Sequence, residues 1–423
     1  MRVIAKDAHQ IDPKSVHSSA VSIVSQLKKA GFDAYVVGGA VRDLMLGGHP
    51  KDFDVATNAT PEQVRGIFRS ARIIGRRFQI VHVRQGREII EVTTFRGHHE
   101  SDDAKPTTSK QSDKGLLLRD NVYGTLEEDA ARRDLTVNAM YYDPDTQSVL
   151  DQMNGADDIA ARLVRIIGDP ATRYREDPVR MLRVVRFSAK LQFDIETQTE
   201  YAIETCAPLL GEIPAARLFD ESLKLFMAGY ARSTFLLLLQ HKLFQYLFPE
   251  PTPLIETQER YKALVSLAMS STDKRVRDNR PVTPAFLLAA ILWPAAQDRS
   301  NALIRQGDAP TQAMNSAGQQ VAAAACLHTA IPKRFSIPMR EIWELQPKLE
   351  RRQPKRVKEL LANRRFRAAY DLLLLREQSG EKLDGTGAFW TEQQTLFPEL
   401  VGSAPVKDDK PARNRRPRRR RNP

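Results

Sequence analysis

The sequence is poor in cysteine and has no long apolar segment. Its two cysteines, Cys206 and Cys326, lie far apart and lack the Cys-x-x-Cys spacing of a zinc ribbon. So few cysteines argue against a disulfide framework and fit a reducing compartment. The first thirteen residues contain no apolar region of the kind found in secretory signals, and the most apolar later segment, PAFLLAAILWPAA, is too short to span a bilayer. We therefore expect a cytoplasmic protein without a membrane-spanning segment.

Negative charge is also in deficit. The 64 Lys and Arg residues exceed the 52 Asp and Glu residues, which gives a net charge of +12 and an isoelectric point of about 9.6. Seven arginines lie in the last thirteen residues, where there is no acid. This balance points to a polyanionic partner. The arginine-rich tail cannot form a core and is expected to be disordered, whereas 42% hydrophobic content in 423 residues suffices for a large core and two or more domains.

The clearest candidate site lies in the segment AYVVGGAVRDLMLGGHPKDFD, which ends at Asp54. Asp52 and Asp54 flank Phe53. Residues two apart on a strand point to the same face, so both carboxylates share one face while Phe53 enters the core. Two adjacent like charges are unfavourable unless cations lie between them. Mg²⁺, which is held by one or two carboxylates together with substrate phosphates, suits this pair.

The residues before this pair predict a strand, a tight turn and a helix. Gly38 and Gly39 lack side chains, so their backbone N–H groups can approach a phosphate closely. In the helix that follows, Val41 and Leu44 lie on the buried side, which leaves Arg42 free to face a triphosphate. A Gly-Gly turn alone would be an ordinary turn. Together with Arg42 and the aspartate pair it predicts a nucleotide and metal site.

The next segments predict a helix that starts at Thr60-Pro61 and then a two-stranded hairpin. Glu91 on the second strand is a candidate third carboxylate for the metals, although a solvated glutamate explains it equally well. The polar segment from Gly97 to Lys114 predicts a mobile loop that could become ordered when nucleotide binds. Its histidines and aspartates have no rigid support for a metal site.

A cluster of charged residues follows in the segment EEDAARRDLTVNAMYY. Arg132, Arg133 and Asp134 come just before an apolar run that would return to the sheet, and Asn138 follows one helical turn after Asp134. Such a triplet is most often a surface charge cluster. Guanidinium groups nevertheless suit phosphate and ribose oxygens. Beside the first motif, this cluster predicts contacts to a nucleotide.

A helix with a basic face is predicted in the segment EDPVRMLRVVRFSAKL, with Asp177 as N-cap and Pro178 as its first residue. Arg180 and Arg183 lie on the half away from the core. Asp177 stands three residues before Arg180, so a carboxylate and a guanidinium can point at one ligand. Adenine and cytosine offer a ring-nitrogen acceptor beside an amine donor, which satisfies this pair, whereas guanine and uracil offer a ring N–H and a carbonyl. The pair therefore predicts selection of A or C without a template.

The order of the motifs GGAVRD, DFD, RRDLTVNA and EDPVRMLRVVRF resembles that of the class II tRNA nucleotidyltransferase and bacterial poly(A) polymerase family, within the DNA polymerase beta nucleotidyltransferase superfamily. The resemblance covers roughly residues 35–230. It implies an α+β fold with a small mixed-sheet nucleotidyltransferase head, DNA polymerase beta-like, and an all-helical neck, body and RNA-binding region. The domains expected are an N-terminal extension and packing helix (1–30), a catalytic head (31–170), a neck that binds the base and RNA (171–250), an RNA-binding body (251–397) and a disordered tail (398–423).

The resemblance also implies roles for the residues that match the motifs. It implies that Asp52 and Asp54 bind Mg²⁺ and that Gly38, Gly39 and Arg42 contact the triphosphate. It implies further nucleotide contacts from Arg132, Arg133, Asp134 and Asn138, with Asp134 as a further catalytic carboxylate. The base would be oriented by Asp177, Arg180 and Arg183.

Several segments look like the poly(A) polymerase branch of the family, among them KDFDVATNATPEQV, GRRFQIVHV and IPAARLFDESLKLF. CCA-adding relatives usually carry a Glu-Arg pair where this chain has Ala216-Arg217. The implied activity is template-independent transfer of AMP from ATP to RNA 3′ ends, with release of pyrophosphate. The first alternative is CCA addition to tRNA. A second is an RNA-binding protein with a decayed catalytic centre, which the intact motifs oppose.

The expected partners are RNA 3′ ends and ATP, while any RNA-decay or RNA-chaperone protein that binds the chain cannot be read from the sequence. The region after Tyr230 predicts helices throughout, and basic and apolar positions alternate between Arg340 and Leu375. We expect Phe366 and Tyr370 to pack inside and the basic residues to track phosphates. The candidate RNA-binding residues are Arg351, Arg352, Lys355, Arg356, Arg364 and Arg365, with Arg415, Arg416, Arg418, Arg419, Arg420 and Arg421 in the tail.

Overall fold

A computed structural model describes residues 1–75, 79–97, 109–111, 117–120 and 122–402. Most of the predicted loop between Gly97 and Lys114, and all the candidate arginines of the tail, lie outside the described residues. The chain forms two units. The first comprises Met1–Pro249, Met269–Pro281 and Cys326–Ala330, and the second comprises Glu250–Ala268, Val282–Ala325 and the residues from Ile331 onward.

The first unit is built on a mixed sheet of eight strands in the order β1-β10-β9-β2-β3-β6-β5-β4. Neighbouring strands are antiparallel, except that β3 and β6 are parallel. Two smaller sheets pair β7 with β8 and β11 with β12. The strands are β1 Arg2–Ile4, β2 Ala34–Val37, β3 Asp54–Thr57, β4 Ala71–Ile74, β5 Ile80–Gln85, β6 Glu88–Thr94, β7 Ser109–Gln111, β8 Leu117–Asp120, β9 Met140–Asp143, β10 Ser148–Asp151, β11 Leu163–Val164 and β12 Asp194–Ile195.

Helices cover the sheet because each has one apolar side. The first helix, for example, buries Ala20, Ile23, Val24 and Leu27 at helical spacing. The helices up to residue 249 are α1 Ser18–Lys29, α2 Gly39–Met45, α3 Pro61–Ile67, α4 Leu126–Arg132, α5 Gly155–Ala161, α6 Pro170–Glu176, α7 Val179–Leu191, α8 Thr197–Cys206, α9 Ala215–Phe226, α10 Ala231–Gln240 and α11 Phe244–Leu247.

Several local predictions are confirmed. The helix α3 begins at Thr60-Pro61, with a capping box between Thr60 and Gln63. The predicted hairpin is β5 and β6, and β4 extends it as a third strand that the sequence did not reveal. The basic helix begins one position later than predicted, with Pro178 as N-cap. Asp177 instead ends α6 in an extended conformation, because a residue before proline is disfavoured in the α region.

The later part of the chain is helical. Phe366 and Tyr370 are buried, as predicted. The segment from Arg340 to Leu375 is divided over three helices, because Gln353 before Pro354 is extended. In the part of the chain that the model describes, no helix is both long and apolar enough to cross a membrane. These helices are α12 Thr252–Thr257, α13 Glu259–Arg277, α14 Pro284–Arg305, α15 Pro310–His328, α16 Lys333–Glu350, α17 Val357–Ala362, α18 Phe366–Gln378 and α19 Thr386–Leu396.

Candidate active site

A glycine turn joins β2 to α2. Gly38 has a φ of +78°, which residues with side chains rarely adopt, and its N–H donates to the carbonyl of Met140 at 3.3 Å. A Cβ atom on Gly38 would lie 3.5 Å from the Arg133 guanidinium, and one on Gly39 would lie 3.4 Å from that of Arg42. The bare backbone of the turn therefore lies beside two guanidinium groups. This arrangement suits a phosphate group.

Asp54 is the first residue of β3 and lies between two neighbouring strands. It pairs in register with Val37 on β2 and with Glu91 on β6. Residues in register on adjacent strands project to the same face of a sheet, so Glu91 lies on the side of Asp54. Asp52 and Asp54 are both exposed, while Phe53 is buried as predicted. The structure thus brings Glu91 to the aspartate pair.

The carboxylates at this edge of the sheet repel one another. The pKa of Asp54 is raised to about 6, chiefly by desolvation, and next by the negative charge of Glu91. Asp52 adds a smaller effect in the same direction, whereas Arg133 opposes it. Although Asp54 reaches solvent, the protein around it disfavours its ionised form. A bound cation would relieve this repulsion.

The donor set fits Mg²⁺, because all its ligand atoms are carboxylate oxygens. Within the described ranges, no group of three or more His, Cys, Asp or Glu side chains is arranged to hold a metal ion. A site that depends on one or two carboxylates and on substrate phosphates is the usual magnesium arrangement. Asp52 and Asp54 match that arrangement.

Arg133 is held rigidly beside the glycine turn. Its Nε and Nη2 donate to Asp129 at 3.2 and 3.0 Å, and its Nε also donates to the hydroxyl of Tyr141 at 3.1 Å. Burial disfavours its charge, but Tyr141 and Asp129 outweigh burial and raise its pKa. Its neighbour Arg132 donates to the carbonyl of Gly97 at 2.7 Å, and burial lowers the pKa of Arg132 to about 10. Arg133 is therefore a fixed positive charge close to Asp54.

Arg42 differs from the expectation of a free side chain. It is 2% exposed, donates to Asp43 at 2.6 Å and to the side-chain oxygen of Asn138, and lies 5.0 Å from the ring of Phe187. Asn138, which was predicted to contact a nucleotide, here binds the side chain of Arg42. Because the guanidinium of Arg42 is hydrogen-bonded to Asp43 and Asn138, we assign it a role in supporting the turn.

Asp134 lies between two arginines of α7. Its carboxylate accepts a hydrogen bond from Nε of Arg180 at 2.9 Å and another from Arg183. Burial raises its pKa, but the two arginines outweigh burial, and the net shift is downward. Arg180 also donates to Glu176 at 2.7 Å and is 7% exposed, whereas the side chain of Arg183 is 38% exposed. Only a part of this network can therefore reach a ligand directly.

Asp177 does not form a pair with Arg180. Its carboxylate accepts from Arg217 on α9 at 2.7 Å, while Arg180 is bound to Asp134 and Glu176. The predicted Asp177–Arg180 pair is therefore divided over two separate ion pairs in this structure. Asp177, which is partly exposed, and Arg183 are the members of the motif that remain accessible.

The sequence did not reveal the residues that hold these groups. Asp129 supports Arg133, Glu176 supports Arg180, and Arg217 supports Asp177. Asp129 and Arg133 are four apart at the end of α4, so the i,i+4 spacing of helical ion pairs was a usable signal there. Glu176 and Arg180 have the same spacing but lie on two helices, α6 and α7. Nothing local indicated Arg217.

The candidate RNA-binding residues of the second unit are of two kinds. Arg351, Lys355 and Arg356 are exposed. Arg364 and Arg365 both donate to Glu341 at 2.6 Å, which halves the charge that this pair of arginines presents. Arg352 donates to the carbonyl of Asp384 at 3.0 Å. The exposed group is thus the better surface for a phosphate backbone.

Comparison with known families extends these observations along most of the chain. Residues 34–165 match the family described as the poly A polymerase head domain. Residues 192–255 match a probable RNA and SrmB-binding site of polymerase A, and residues 306–423 match a polymerase A arginine-rich C-terminus.

Matches to individual relatives differ in extent between the two branches of the family. The chain is 45% identical over 429 residues to Poly(A) polymerase I of Salmonella typhimurium, which covers 99% of this chain and 92% of the relative. It is 37% identical over 228 residues to the CCA-adding enzyme of Lactobacillus helveticus, which covers 54% of each chain. A solved apo form of a CCA-adding enzyme has a TM-score of 0.63 at 18% identity, covering 92% of this chain and 84% of that one, which is a likeness of fold. The predicted mixed-sheet nucleotidyltransferase head with a helical remainder is confirmed, and the chain belongs to the poly(A) polymerase I family.

Proposed function

We propose that the protein is a polynucleotide adenylyltransferase, which transfers AMP from ATP to RNA 3′ ends without a template and releases pyrophosphate. The observation that supports this most is the extent of similarity. Likeness to a poly(A) polymerase I covers 99% of the chain, whereas likeness to the CCA-adding enzyme covers 54%.

The reaction is assigned to the edge of the sheet at Asp52 and Asp54. These carboxylates, with Glu91 beside them, would hold Mg²⁺. With Mg²⁺ bound, the site gains a Lewis acid for the primer 3′-hydroxyl and for the departing pyrophosphate. In the Gly38-Gly39 turn, the N–H of Gly38 donates to the carbonyl of Met140, so we assign the triphosphate to the N–H of Gly39. Arg133, fixed by Asp129 and Tyr141, supplies positive charge close to Asp54 without having to reorganise.

The base is assigned to the accessible members of the α7 network. Asp177 would accept a hydrogen bond from the exocyclic amine, and Arg183 would donate to the ring nitrogen. Asp134 fixes Arg183 and Arg180 by the hydrogen bonds described above, so we assign it a positioning role. Glu91 is then the better candidate for the third carboxylate, because it lies in register with Asp54.

The RNA is assigned to the exposed basic residues of the second unit and to the arginine-rich tail. Arg351, Lys355 and Arg356 are exposed cations, although Arg356 lies 4.0 Å from Glu359, and the tail adds seven arginines. Such contacts are independent of sequence and sensitive to salt. The match of residues 192–255 to a probable RNA and SrmB-binding site supports RNA and protein contacts by that segment as well. We place the enzyme in the cytoplasm, where RNA and ATP are available.

An incorporation assay tests the function. Purified protein is incubated with RNA and Mg²⁺, in one reaction with ATP alone and in another with CTP alone. Long A tails with ATP support poly(A) synthesis, whereas short C-containing ends would indicate CCA addition. Absence of pyrophosphate release with both nucleotides would indicate a binding protein without catalysis. Asp52→Ala and Asp54→Ala should each leave a folded, RNA-binding and inactive protein, while Glu88→Ala, an exposed change on β6, should leave activity intact.

A further inference from the structure

A polar cavity lies wholly within the second unit. Its volume is about 520 Å³, within the range of roughly 300–1,000 Å³ that is usual for small-molecule sites. We divide the lining residues into three groups by chemistry and exposure: polar residues around the buried Trp293 and Arg376 (the floor), buried apolar residues (the walls) and two exposed cations (the rim).

The floor contains a buried donor without a partner. Trp293 is 1% exposed, and in the described residues its indole N–H has no hydrogen-bond acceptor. The other two tryptophans of the chain are satisfied, since Trp343 donates to the carbonyl of Ala289 at 3.0 Å and Trp390 to that of Leu349 at 2.9 Å. A buried donor that lacks a partner in a roomy polar cavity indicates a ligand that supplies an acceptor.

The rest of the floor is already organised. Arg376 is 2% exposed, lies 4.5 Å from the Trp293 ring, and donates to Glu350 at 2.7 Å and to Glu381 at 2.6 Å. Gln297 donates to Glu381 at 2.6 Å. The guanidinium is therefore neutralised and unavailable to an anion. Its two glutamates hold fixed acceptor oxygens in the lining of the cavity.

The walls and rim complete the pattern. Met314 and Pro347 are buried apolar residues of the lining, which suit a flat ring. Arg260 and Lys382 are exposed cations at the opening. Because Glu350 and Glu381 pair with Arg376, they do not neutralise Arg260 and Lys382, and the rim remains positively charged. A ring with a polar edge that is attached to an anionic group would match all three groups of lining residues.

We propose that this cavity binds an adenylate unit of the RNA substrate, with a ring nitrogen accepting from Trp293, the exocyclic amine donating to a glutamate of the floor, and the phosphate at Arg260 and Lys382. The RNA source rests on the proposed function. Uracil offers a carbonyl and a ring N–H where adenine offers an amine and a ring acceptor, so oligo(A) is bound more tightly than oligo(U). The site is a second place, besides the catalytic head, at which the enzyme recognises the chemistry of its own product.

Binding measurements on the full chain test this site. Fluorescently labelled oligo(A), oligo(U) and AMP are titrated by anisotropy into wild type, Trp293→Phe, the double variant Arg260→Gln/Lys382→Gln, and the control Lys333→Gln, which changes an exposed cation of the same unit outside the cavity. Trp293→Phe should weaken oligo(A) binding about fivefold, as expected for one lost hydrogen bond, and should reduce the preference over oligo(U). The rim variant should lower the salt slope of log affinity by about 0.7 for each cation lost. Lys333→Gln should change neither affinity nor the preference for oligo(A).

The outcomes separate this site from the proposed function. If wild type adds AMP to RNA but the variants bind oligo(A) like wild type, the cavity is not an RNA site. If the variants weaken the binding of AMP but leave oligo(A) binding unchanged, the cavity holds free nucleotide, and the assignment to RNA is wrong. Should Trp293→Phe fail to fold, the exposed rim variant decides alone. If wild type does not add AMP to RNA, the proposed function itself is wrong.

Discussion

Replacing Asp134 by asparagine should weaken the fold and the binding of ATP more than the chemical step. The carboxylate of Asp134 accepts from Arg180, which is almost buried, and from Arg183, which is about one-third exposed. A hydrogen bond to a shielded charged group contributes about 2 kcal/mol, and a partly exposed ion pair about 1 kcal/mol or less. The free energy of unfolding should therefore fall by about 3 kcal/mol. Urea denaturation followed by circular dichroism measures this loss.

The kinetic effect of the same change should appear mainly in KM. Without Asp134, Arg183 no longer has a fixed position beside the base, and one misplaced hydrogen bond of about 1.4 kcal/mol corresponds to a tenfold rise in the KM for ATP. The value of kcat should change much less. The complementary variant Glu91→Gln should keep KM and lower kcat, because it removes a carboxylate in register with Asp54.

A structural control makes the comparison decisive. Asp158 is also a buried acid of the first unit, and it accepts from Arg165 at 3.1 Å and from Thr136 at 2.6 Å. Asp158→Asn should destabilise the protein without raising the KM for ATP. If Asp134→Asn instead abolishes kcat while stability and KM stay near wild type, Asp134 is the third catalytic carboxylate, and the positioning role is wrong.

Other consequences can be measured independently. Arg217→Ala releases Asp177, which should reduce the preference for ATP over GTP by about fivefold in kcat/KM, while Arg217→Lys should restore part of it; an unchanged preference would show that this ion pair does not orient the base. Glu381→Gln should cost about 2–3 kcal/mol because Arg376 is buried. Burial raises the pKa of Glu381, but Arg376 outweighs burial and the net shift of the pKa is downward. Protonation of Glu381 therefore favours the unfolded chain, and the free energy of unfolding should fall as the pH drops below about 4.5. This loss should be smaller in Glu381→Gln. Truncation after Val406 should lower the salt slope of RNA binding by up to about 5, from seven arginines at about 0.7 each, and should leave the chemistry intact.

Local patterns carried the prediction of the glycine turn and of the aspartate pair that we propose as metal ligands. The Gly-Gly turn and the burial of Phe53 depend on neighbours in sequence, where backbone geometry is restrictive. The predicted strand was too long at its start, because β3 begins at Asp54 and Asp52 precedes it. The placement of the Arg42 side chain depends on Asn138, 96 residues later in the chain. The helical spacing of the sequence could not show this contact, so it predicted a free Arg42 side chain.

The same limit applies to the base-reading residues. Arg180 meets Asp134 across 46 residues, and Asp177 meets Arg217 across 40. A single sequence gives the chemistry of each side chain but not its partner, so Asp177 and Arg180 were paired through their spacing of three residues. In the folded chain, each of the two residues binds a more distant partner instead. The sequence did reveal the activity, since the motifs of the head are local, but not the ion pairs that hold the site.

The pairing of β1 has a consequence for the order in which the head can fold. Arg2 lies in register with Asp151, so the first strand of the chain must wait for the last strand of the sheet in sequence, β10. The strands β2 to β6, which carry the glycine turn, Asp54 and Glu91, are complete once residue 94 has left the ribosome. Contacts of high sequence separation form late, because their loop-closure entropy is paid before they contribute. During synthesis, these strands can therefore assemble while β2 still lacks its neighbour β9, and β1 can pair only after β9 and β10 have joined the sheet. In that interval an unpaired strand is open to association with other nascent chains.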